Sequence, residues 1–499
     1  MGVESALDTA ERSGSRRRVL PAQPVPWSRQ ESGAAIAKWA RAWLATGSRL
    51  DTVVMALLIV VALGITLPRL ATPERYLYDE ILYAYTAREY LRGNPAAHRW
   101  DDPCAVGRND DACLEHNPAA RVGERVGKVE WTHPPLAKLA IAGGIALLGD
   151  TPLGRRLPGA IAGAVGIALL YRLAVALTHR RGIALLGAAF LLLDGLWFVE
   201  SRLALPDIFL AVTVLGAMLA FSVWLGAPHA AGHRPLLLVG TLLGLGFATK
   251  WSAAYVWALV CVVVGVRILA AELFGRDQAV DAGRKAGIAA QGAWAVIALL
   301  GIPLGIFVAA HLPFFFASNG LTDFVELQRQ RWLYHRAYAA DLDYASRWWQ
   351  WPLALRPAWY GATTFGEDGR VANIYANGNP LLYWAFLPAF LWVGWRWWQE
   401  RRGALLVLLV GVLGSWLPWA AIQRPTFIYH FLPAVPLACL AVAVAVNDLY
   451  HADTGWRRTL AVEYVVLVGL VFAFFYPLYA FVGLNAHDLE LRLWLPSWR

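Results

Sequence analysis

Apolar runs of roughly fifteen to thirty residues recur along the chain, separated by short polar connections, and they set its class. The first, Thr52 to Pro68, contains no charge. Others lie near 156–178, 182–200, 207–226, 235–249, 252–271, 288–316, 379–395, 403–420, 427–447 and 459–482. Spans of this length cross a hydrocarbon core of about 30 Å only as helices, which satisfy their own backbone groups. The pattern predicts an all-α integral membrane protein. Short basic connections alternate with less basic ones and all belong on one side: His179-Arg180-Arg181, His233-Arg234, Arg276 to Lys285, Arg396 with Arg401-Arg402, and Arg457-Arg458. The excess of positive charge assigns that side, and the N-terminus, to the cytoplasm. Pro134 to Gly149 is apolar but short and opens on Pro-Pro; if it crossed, every later basic loop would move outside. Parity therefore makes 134–149 a juxtamembrane or re-entrant segment. What remains is about eleven spanning helices, an external C-terminus, and two long outer loops, 70–133 and 317–377, with juxtamembrane helices in them. Residues 1–48, polar and rich in arginine, read as a disordered cytoplasmic tail ahead of one membrane domain, 49–499.

Composition supports this class. The 499 residues are 58% hydrophobic and 16% charged, beyond the usual range of soluble domains. The 25 tryptophans suit helix ends anchored at both interfaces. A net charge of +9 lies mostly in short loops that set orientation, so it argues for no nucleic acid. Four cysteines are too few for a disulfide scaffold or zinc cluster. Cys261 and Cys439 fall inside apolar runs, whereas Cys104 and Cys113 share the first outer loop, where an oxidising compartment permits a disulfide.

This topology gathers chemistry on the outer face: Asp79, Glu80, His133, Lys138, Arg155, Arg156, Arg202, Asp207, Lys250, Trp251, His311, His335, Arg347, Arg424 and His430. Single members have ordinary structural readings as helix caps or as arginines reaching for headgroups. Asp79 stands apart. It adjoins Glu80 just beyond the first helix, and adjacent carboxylates repel unless a cation or a substrate uses them. Reactive groups at one membrane face suggest an enzyme acting on a lipid-borne substrate. A transporter would place ionisable groups near the midplane and often shows repeated halves, neither of which is seen.

Several segments, in order, carry a family resemblance. They are Tyr78-Asp79-Glu80, Thr132-His133-Pro134-Pro135-Leu136-Ala137-Lys138, Arg156-Leu157-Pro158, Ser201-Arg202-Leu203-Ala204-Leu205-Pro206-Asp207, Lys250-Trp251-Ser252, Tyr334-His335, Tyr344-Ala345-Ser346-Arg347-Trp348-Trp349-Gln350-Trp351-Pro352, Gly378-Asn379-Pro380 and Phe427-Ile428-Tyr429-His430-Phe431-Leu432-Pro433. From about residue 50 to Trp498 the chain resembles the protein O-mannosyltransferases of glycosyltransferase family 39, within the GT-C class. The large β-trefoil insertion of the eukaryotic members is missing, which suits a bacterial enzyme, and the acidic stretch around Cys104 and Cys113 has no family counterpart.

The resemblance implies a GT-C bundle in the bacterial plasma membrane that moves mannose from polyprenyl-phosphate mannose to Ser or Thr of exported proteins. It implies Asp79 as the base, with Glu80 beside it holding the acceptor peptide. Lys138, Arg156, Arg202 and, as a lysine at an outer helix end, Lys250 are expected at the donor phosphate and lipid. His133, Asp207, His335, Arg347, Trp348 and His430 are expected to line the site. Beyond the donor, the acceptors and membrane lipid, association with the secretion machinery is a further expectation. No cofactor is called for, and the acidic pair lacks the usual spacing for a divalent cation. The nearest alternative is a GT-C enzyme moving another sugar, such as aminoarabinose, from a polyprenyl phosphate to a lipid acceptor.

Overall fold

The computed structural model describes residues 48–499 apart from 123–124, 227–232, 274–281, 366–368 and 401–402. The expected basic tail therefore lies outside the described residues. Each apolar run is helical, and seven helices among the described residues are long and apolar enough to cross a membrane. The first, Arg49–Thr66, begins on the Ser48 cap, whose hydroxyl accepts from Asp51 N–H at 3.2 Å. Asp51 is buried and takes a bidentate pair from Arg181 at 2.7 and 3.0 Å plus the Tyr171 hydroxyl at 2.8 Å. This locks the basic end of the first helix to its neighbours.

The run 182–200 is two helices, Arg181–Leu192 and Gly195–Glu200, broken at Asp194. Asp194 caps the second piece through Trp197 N–H and also accepts from Asn379 N–H. The Asn379 amide donates to the carbonyls of Leu193 and Val468, each at 3.0 Å. The Gly-Asn-Pro element thus pins helix Pro380–Glu400 to the break. Gly195–Glu200 packs close on the long helix Pro152–Thr178 because Gly163 carries no side chain: a Cβ there would stand 2.1 Å from Ser201 Oγ. That approach carries Arg202 to the outer end of the first helix.

Segment 134–149 forms the 13-residue helix Leu136–Leu148, about 20 Å long and too short to cross. The second outer loop contains the helix Leu321–Ala337 and, beyond the expected helices, the hairpin Ala358–Phe365 and Arg370–Ala376, to which Gly483–Leu484 adds a third antiparallel strand. Its hairpin shifts register at Trp359/Gly361, where Gly361 adopts φ 132°. In the first loop, Cys104 and Cys113 form a disulfide with Cα atoms 4.4 Å apart.

Two buried arginines organise the backbone between the first helix and Asp79. Arg202 donates to the carbonyls of Thr66, Pro68 and Arg69 at 2.6–2.8 Å, satisfying acceptors that a helix end leaves open. Arg156 donates to the carbonyls of Leu70, Pro73 and Arg75 and, through Nε and Nη2, to both oxygens of Glu80 at 2.7 and 2.8 Å. All five of its N–H donors are thereby used. Glu80 is fully buried and also accepts from Leu77 N–H and Ala204 N–H. A buried ion pair of this kind contributes through complete satisfaction, and removing one partner is costly. Arg202→Leu strands three carbonyls and is expected to cost roughly 3 kcal/mol. Thermal unfolding in detergent or nanodiscs checks this, and an unchanged melting temperature would contradict it.

Candidate active site

Tyr78 enters the turn before Asp79 with φ 43°, a left-handed conformation that an aromatic residue seldom adopts. Its carbonyl is held by Arg125 Nη1 at 3.0 Å, and its ring stands edge-on to Tyr360 at 5.1 Å. The chain then turns into helix Glu80–Leu91, at whose N-terminus Asp79 makes no side-chain cap bond. Its carboxyl group instead faces a cavity of about 290 Å³. Burial, with the charge of Glu130 adding to it against the pull of Lys250, raises the Asp79 pKa to about 6.

The same cavity is lined by His133, Asp207, Lys250, His335, Arg424 and His430, together with aromatic side chains such as Tyr78, Tyr83, Tyr334 and Tyr338. A second cavity of about 350 Å³ adjoins it and shares His133, Lys250, His335 and Arg424. Its other walls are largely apolar and include Tyr255, Trp332, Trp419 and Ile422. Trp251 Nε1, Ser252 Oγ and His335 Nδ1 belong to residues of this second cavity and are buried without a hydrogen-bond partner. A space with largely apolar walls and three cations, Lys250, Arg336 and Arg424, suits an anionic headgroup on a hydrocarbon chain.

Donor accounting separates the cations. Lys138 Nζ, fully buried, donates to Glu130 O, Glu130 Oε2 and His133 O at 2.5–2.9 Å, which uses all three of its protons. Arg156 is likewise saturated, and Arg202 is turned onto backbone carbonyls. None of these three lines either cavity. Glu80, bound by Arg156, is also absent from both walls. Lys250 does face the cavities; it pairs with Asp207 at 2.9 and 3.0 Å, keeps one proton free, and lies 5.3 Å from the Tyr429 ring centroid. Arg424 is half-buried on both walls and has no hydrogen bond or ion pair among the described residues. Arg347 and Trp348 stand off both cavities, Trp348 packing on Trp416 at 5.7 Å. His430 is sandwiched by aromatic rings, Tyr429 at 4.6 Å and Trp351 at 6.0 Å, both nearly parallel to it.

Sequence reasoning grouped Arg424 with Asp79, whose cavity it lines, but gave it no role, and it missed Glu130. Glu130 is buried and accepts from His133 Nδ1 at 3.0 Å and from His133 N–H at 3.0 Å. Against burial, which would raise it, the charge of Lys138 and the contact with His133 hold Glu130 well below the usual carboxylate range. Its i, i+3 spacing to His133 was the available signal. Arg331, also buried, donates to the carbonyls of Trp131 and His133 and so ties helix Leu321–Ala337 to the His133 segment. Among the described residues, no group of three or more His, Cys, Asp or Glu is placed to hold a metal ion.

Two family models match the chain. Residues 150–317 match "Dolichyl-phosphate-mannose-protein mannosyltransferase", and 320–498 match "C-terminal four TMM region of protein-O-mannosyltransferase". The chain is 27% identical to the polyprenol-phosphate-mannose–protein mannosyltransferase of Mycobacterium tuberculosis, over 92% of each chain. It is 26% identical to the Corynebacterium glutamicum protein of that name, over 91% of this chain and 94% of the relative. Its fold is similar to that in the Saccharomyces cerevisiae Pmt1-Pmt2 complex bound to the sugar donor, with TM-score 0.72, 14% identity, and 93% and 94% of the two chains covered. It is also similar to ArnT from Cupriavidus metallidurans bound to undecaprenyl phosphate, with TM-score 0.51, 14% identity, and 91% and 76% covered. The helical bundle is therefore of the GT-C type. With its two family models covering most of the membrane bundle and relatives of one name aligned along nearly its whole length, this chain belongs to the protein O-mannosyltransferase family.

Proposed function

We propose that this chain is a glycosyltransferase that moves one mannose from polyprenyl-phosphate mannose to Ser or Thr hydroxyls of exported proteins, with Asp79 as the base. The observation that carries this reading is the pairing of two adjoining cavities: one holds Asp79, whose carboxylate has no partner among the described residues, and the other has largely apolar walls and three cations, Lys250, Arg336 and Arg424. The names of the mycobacterial and corynebacterial relatives specify the same donor class and a protein acceptor. The catalytic domain runs from about residue 49 to the C-terminus, as the helix pattern suggests.

A serine or threonine hydroxyl is a weak nucleophile, so a positioned carboxylate must take its proton as attack proceeds. Asp79 supplies that group. The polyprenyl chain lies against the apolar walls of the second cavity, and its phosphate meets Lys250 and Arg424. As the glycosidic bond breaks, the leaving phosphate gains charge, and cations already fixed beside it stabilise that charge without reorganising. Asp207 holds Lys250 in place. Direct displacement inverts the anomeric centre and needs one base and no covalent intermediate, unlike the paired carboxylates of retaining hydrolases. Lys138, Arg156 and Arg202 act as framework rather than as phosphate ligands.

The site faces the outside of the bacterial plasma membrane, with the N-terminus cytoplasmic and the C-terminus external. Two observations support this orientation. The Cys104–Cys113 disulfide, which an oxidising compartment favours, is in the loop that begins next to Asp79. The basic connections, including Arg181 on Asp51, lie at the opposite ends of the helices. Exported acceptors would meet the enzyme at that face, and docking to the secretion machinery would deliver them before they fold.

Asp79→Asn is expected to lower transfer of labelled mannose to a Ser/Thr-rich peptide by about 10³-fold while leaving membrane insertion intact. Near-wild-type turnover would sink the base assignment, and no peptide labelling by wild type would move the reaction to another sugar or a lipid acceptor. Only the ionised carboxylate accepts a proton, and burial raises the Asp79 pKa to about 6. The rate in the wild type is therefore expected to rise with pH through that value and to level off above it. A profile flat from pH 5 to 8 would contradict Asp79 as the group titrating. Arg424→Leu is expected to raise the donor KM on the order of tenfold, with a smaller effect on the peptide KM. Equal losses for both substrates would count against a phosphate contact.

A further inference from the structure

The wall shared by the two cavities consists of two cations, Lys250 and Arg424, and two imidazoles, His133 and His335. Fixed partners decide which nitrogen of each ring carries the proton. His133 Nδ1 lies 3.0 Å from Glu130 Oε1. A carboxylate only accepts, so the proton sits on Nδ1 and Nε2 keeps its lone pair. In His335 the order is reversed: Nε2 lies 3.0 Å from the Thr132 carbonyl, which also only accepts. The proton is on Nε2, and Nδ1 is left as a buried acceptor with no partner. Burial keeps both rings neutral, lowering the His133 pKa against the opposing pull of Glu130 and taking that of His335 down to about 3. The two ring centroids stand 5.1 Å apart.

His133 therefore offers the boundary between the cavities an acceptor nitrogen, whereas His335 Nδ1 is buried beneath that wall. Phosphate oxygens are acceptors too, and two lone pairs facing each other repel. Such a nitrogen requires a hydroxyl donor. When phosphate occupies one cavity and the nucleophilic hydroxyl the other, the group that lies across the boundary is the sugar in transit.

We propose that His133 reads a hydroxyl group of the transferred sugar and so helps to decide which sugar the enzyme accepts, with the His335 ring packed beside it to hold its place. This rests on the donor reading given above. Glu130 and Arg331 are positioning residues for His133. Glu130 fixes the His133 tautomer and is itself held by Lys138 Nζ at 2.6 Å. Arg331 binds the His133 carbonyl at 3.2 Å from the helix that also carries His335. The buried Lys138–Glu130 pair thereby acquires a purpose in sugar selection.

The test uses the full chain in nanodiscs with a Ser/Thr peptide. Donors are polyprenyl-phosphate mannose and its monodeoxy analogues; proteins are wild type, His133→Phe, His133→Gln and His133→Asn. Wild type is expected to use at least one deoxy donor roughly 10- to 100-fold less efficiently than the mannose donor. That gap is expected to collapse toward unity in His133→Phe. Gln, whose amide oxygen reaches the Nε2 position, is expected to retain the gap, and Asn, which does not reach it, to lose it. This pair keeps the proposal falsifiable if the phenylalanine variant fails to fold. Binding of the sugar-free polyprenyl phosphate is expected to stay within about twofold, because Lys250 and Arg424 are untouched. A deoxy gap that persists in every variant, or one absent from wild type, overturns the proposal. Variants that raise only the peptide KM also overturn it and assign the imidazole to the acceptor hydroxyl. Failure of wild type to transfer mannose at all overturns the reaction reading, and this inference with it. Mannose transfer with an unmoved gap removes the histidine assignment alone.

Discussion

The site depends on two buried arginines that tie the backbone between the first membrane helix and Asp79. Arg202 takes the open carbonyls at the helix end, and Arg156 takes those of the following turn together with Glu80. A short stretch of irregular backbone at the edge of a bilayer would otherwise carry unpaired acceptors with little water to meet them. Satisfied from within the protein, it becomes rigid. Rigidity matters because a general base must hold its place relative to two substrates that arrive separately. The two adjacent acids divide the work accordingly: Glu80 is spent on holding the turn, and Asp79 is left facing the cavity.

The same accounting divides the basic residues. Lys138, Arg156 and Arg202 have their protons committed to carbonyls and to buried acids, whereas among the described residues Lys250 retains one and Arg424 has all of its donors open. Charge alone did not distinguish these groups; the count of hydrogen bonds did. A membrane enzyme with a charged substrate needs both kinds of cation. Framework cations must be saturated to be tolerated in a low-dielectric interior. Substrate cations must remain unsaturated, and burial, with the charge of Arg424 adding to it, lowers the proton affinity of the nearby His335. A neutral His133 beside unsaturated cations gives the wall donors for phosphate and an acceptor for a hydroxyl within one small space.

Much of the fold was legible in the sequence because apolar runs of membrane length seldom occur in soluble domains. The short helix after Pro134-Pro135 was legible by parity. The break at Asp194 was not, since one acid in an apolar run reads as tolerated until its caps and its Asn379 partner are seen. The sheet around Ala358–Phe365 was hidden as well, because a hairpin containing Gly361 and lying among membrane-facing aromatics lacks a clean alternation. For the site, motif order located Asp79, His133, Asp207, Lys250, His335 and His430 on the cavity. It could not assign Arg156 or Arg202, whose partners are backbone carbonyls more than 80 residues away in several cases. Arg424 stands three residues before the Phe-Ile-Tyr-His element and belongs to no motif, so only the cavity walls bring it forward.

The most direct measurement is a structure of the full chain in nanodiscs with polyprenyl-phosphate mannose bound. The phosphate is expected within about 3 Å of Lys250 and Arg424, with Arg156 still on Glu80 and Arg202 still on the end of the first helix. A phosphate seated on Lys138, Arg156 or Arg202, with their carbonyl partners released, would contradict the division of the cations into framework and substrate ligands.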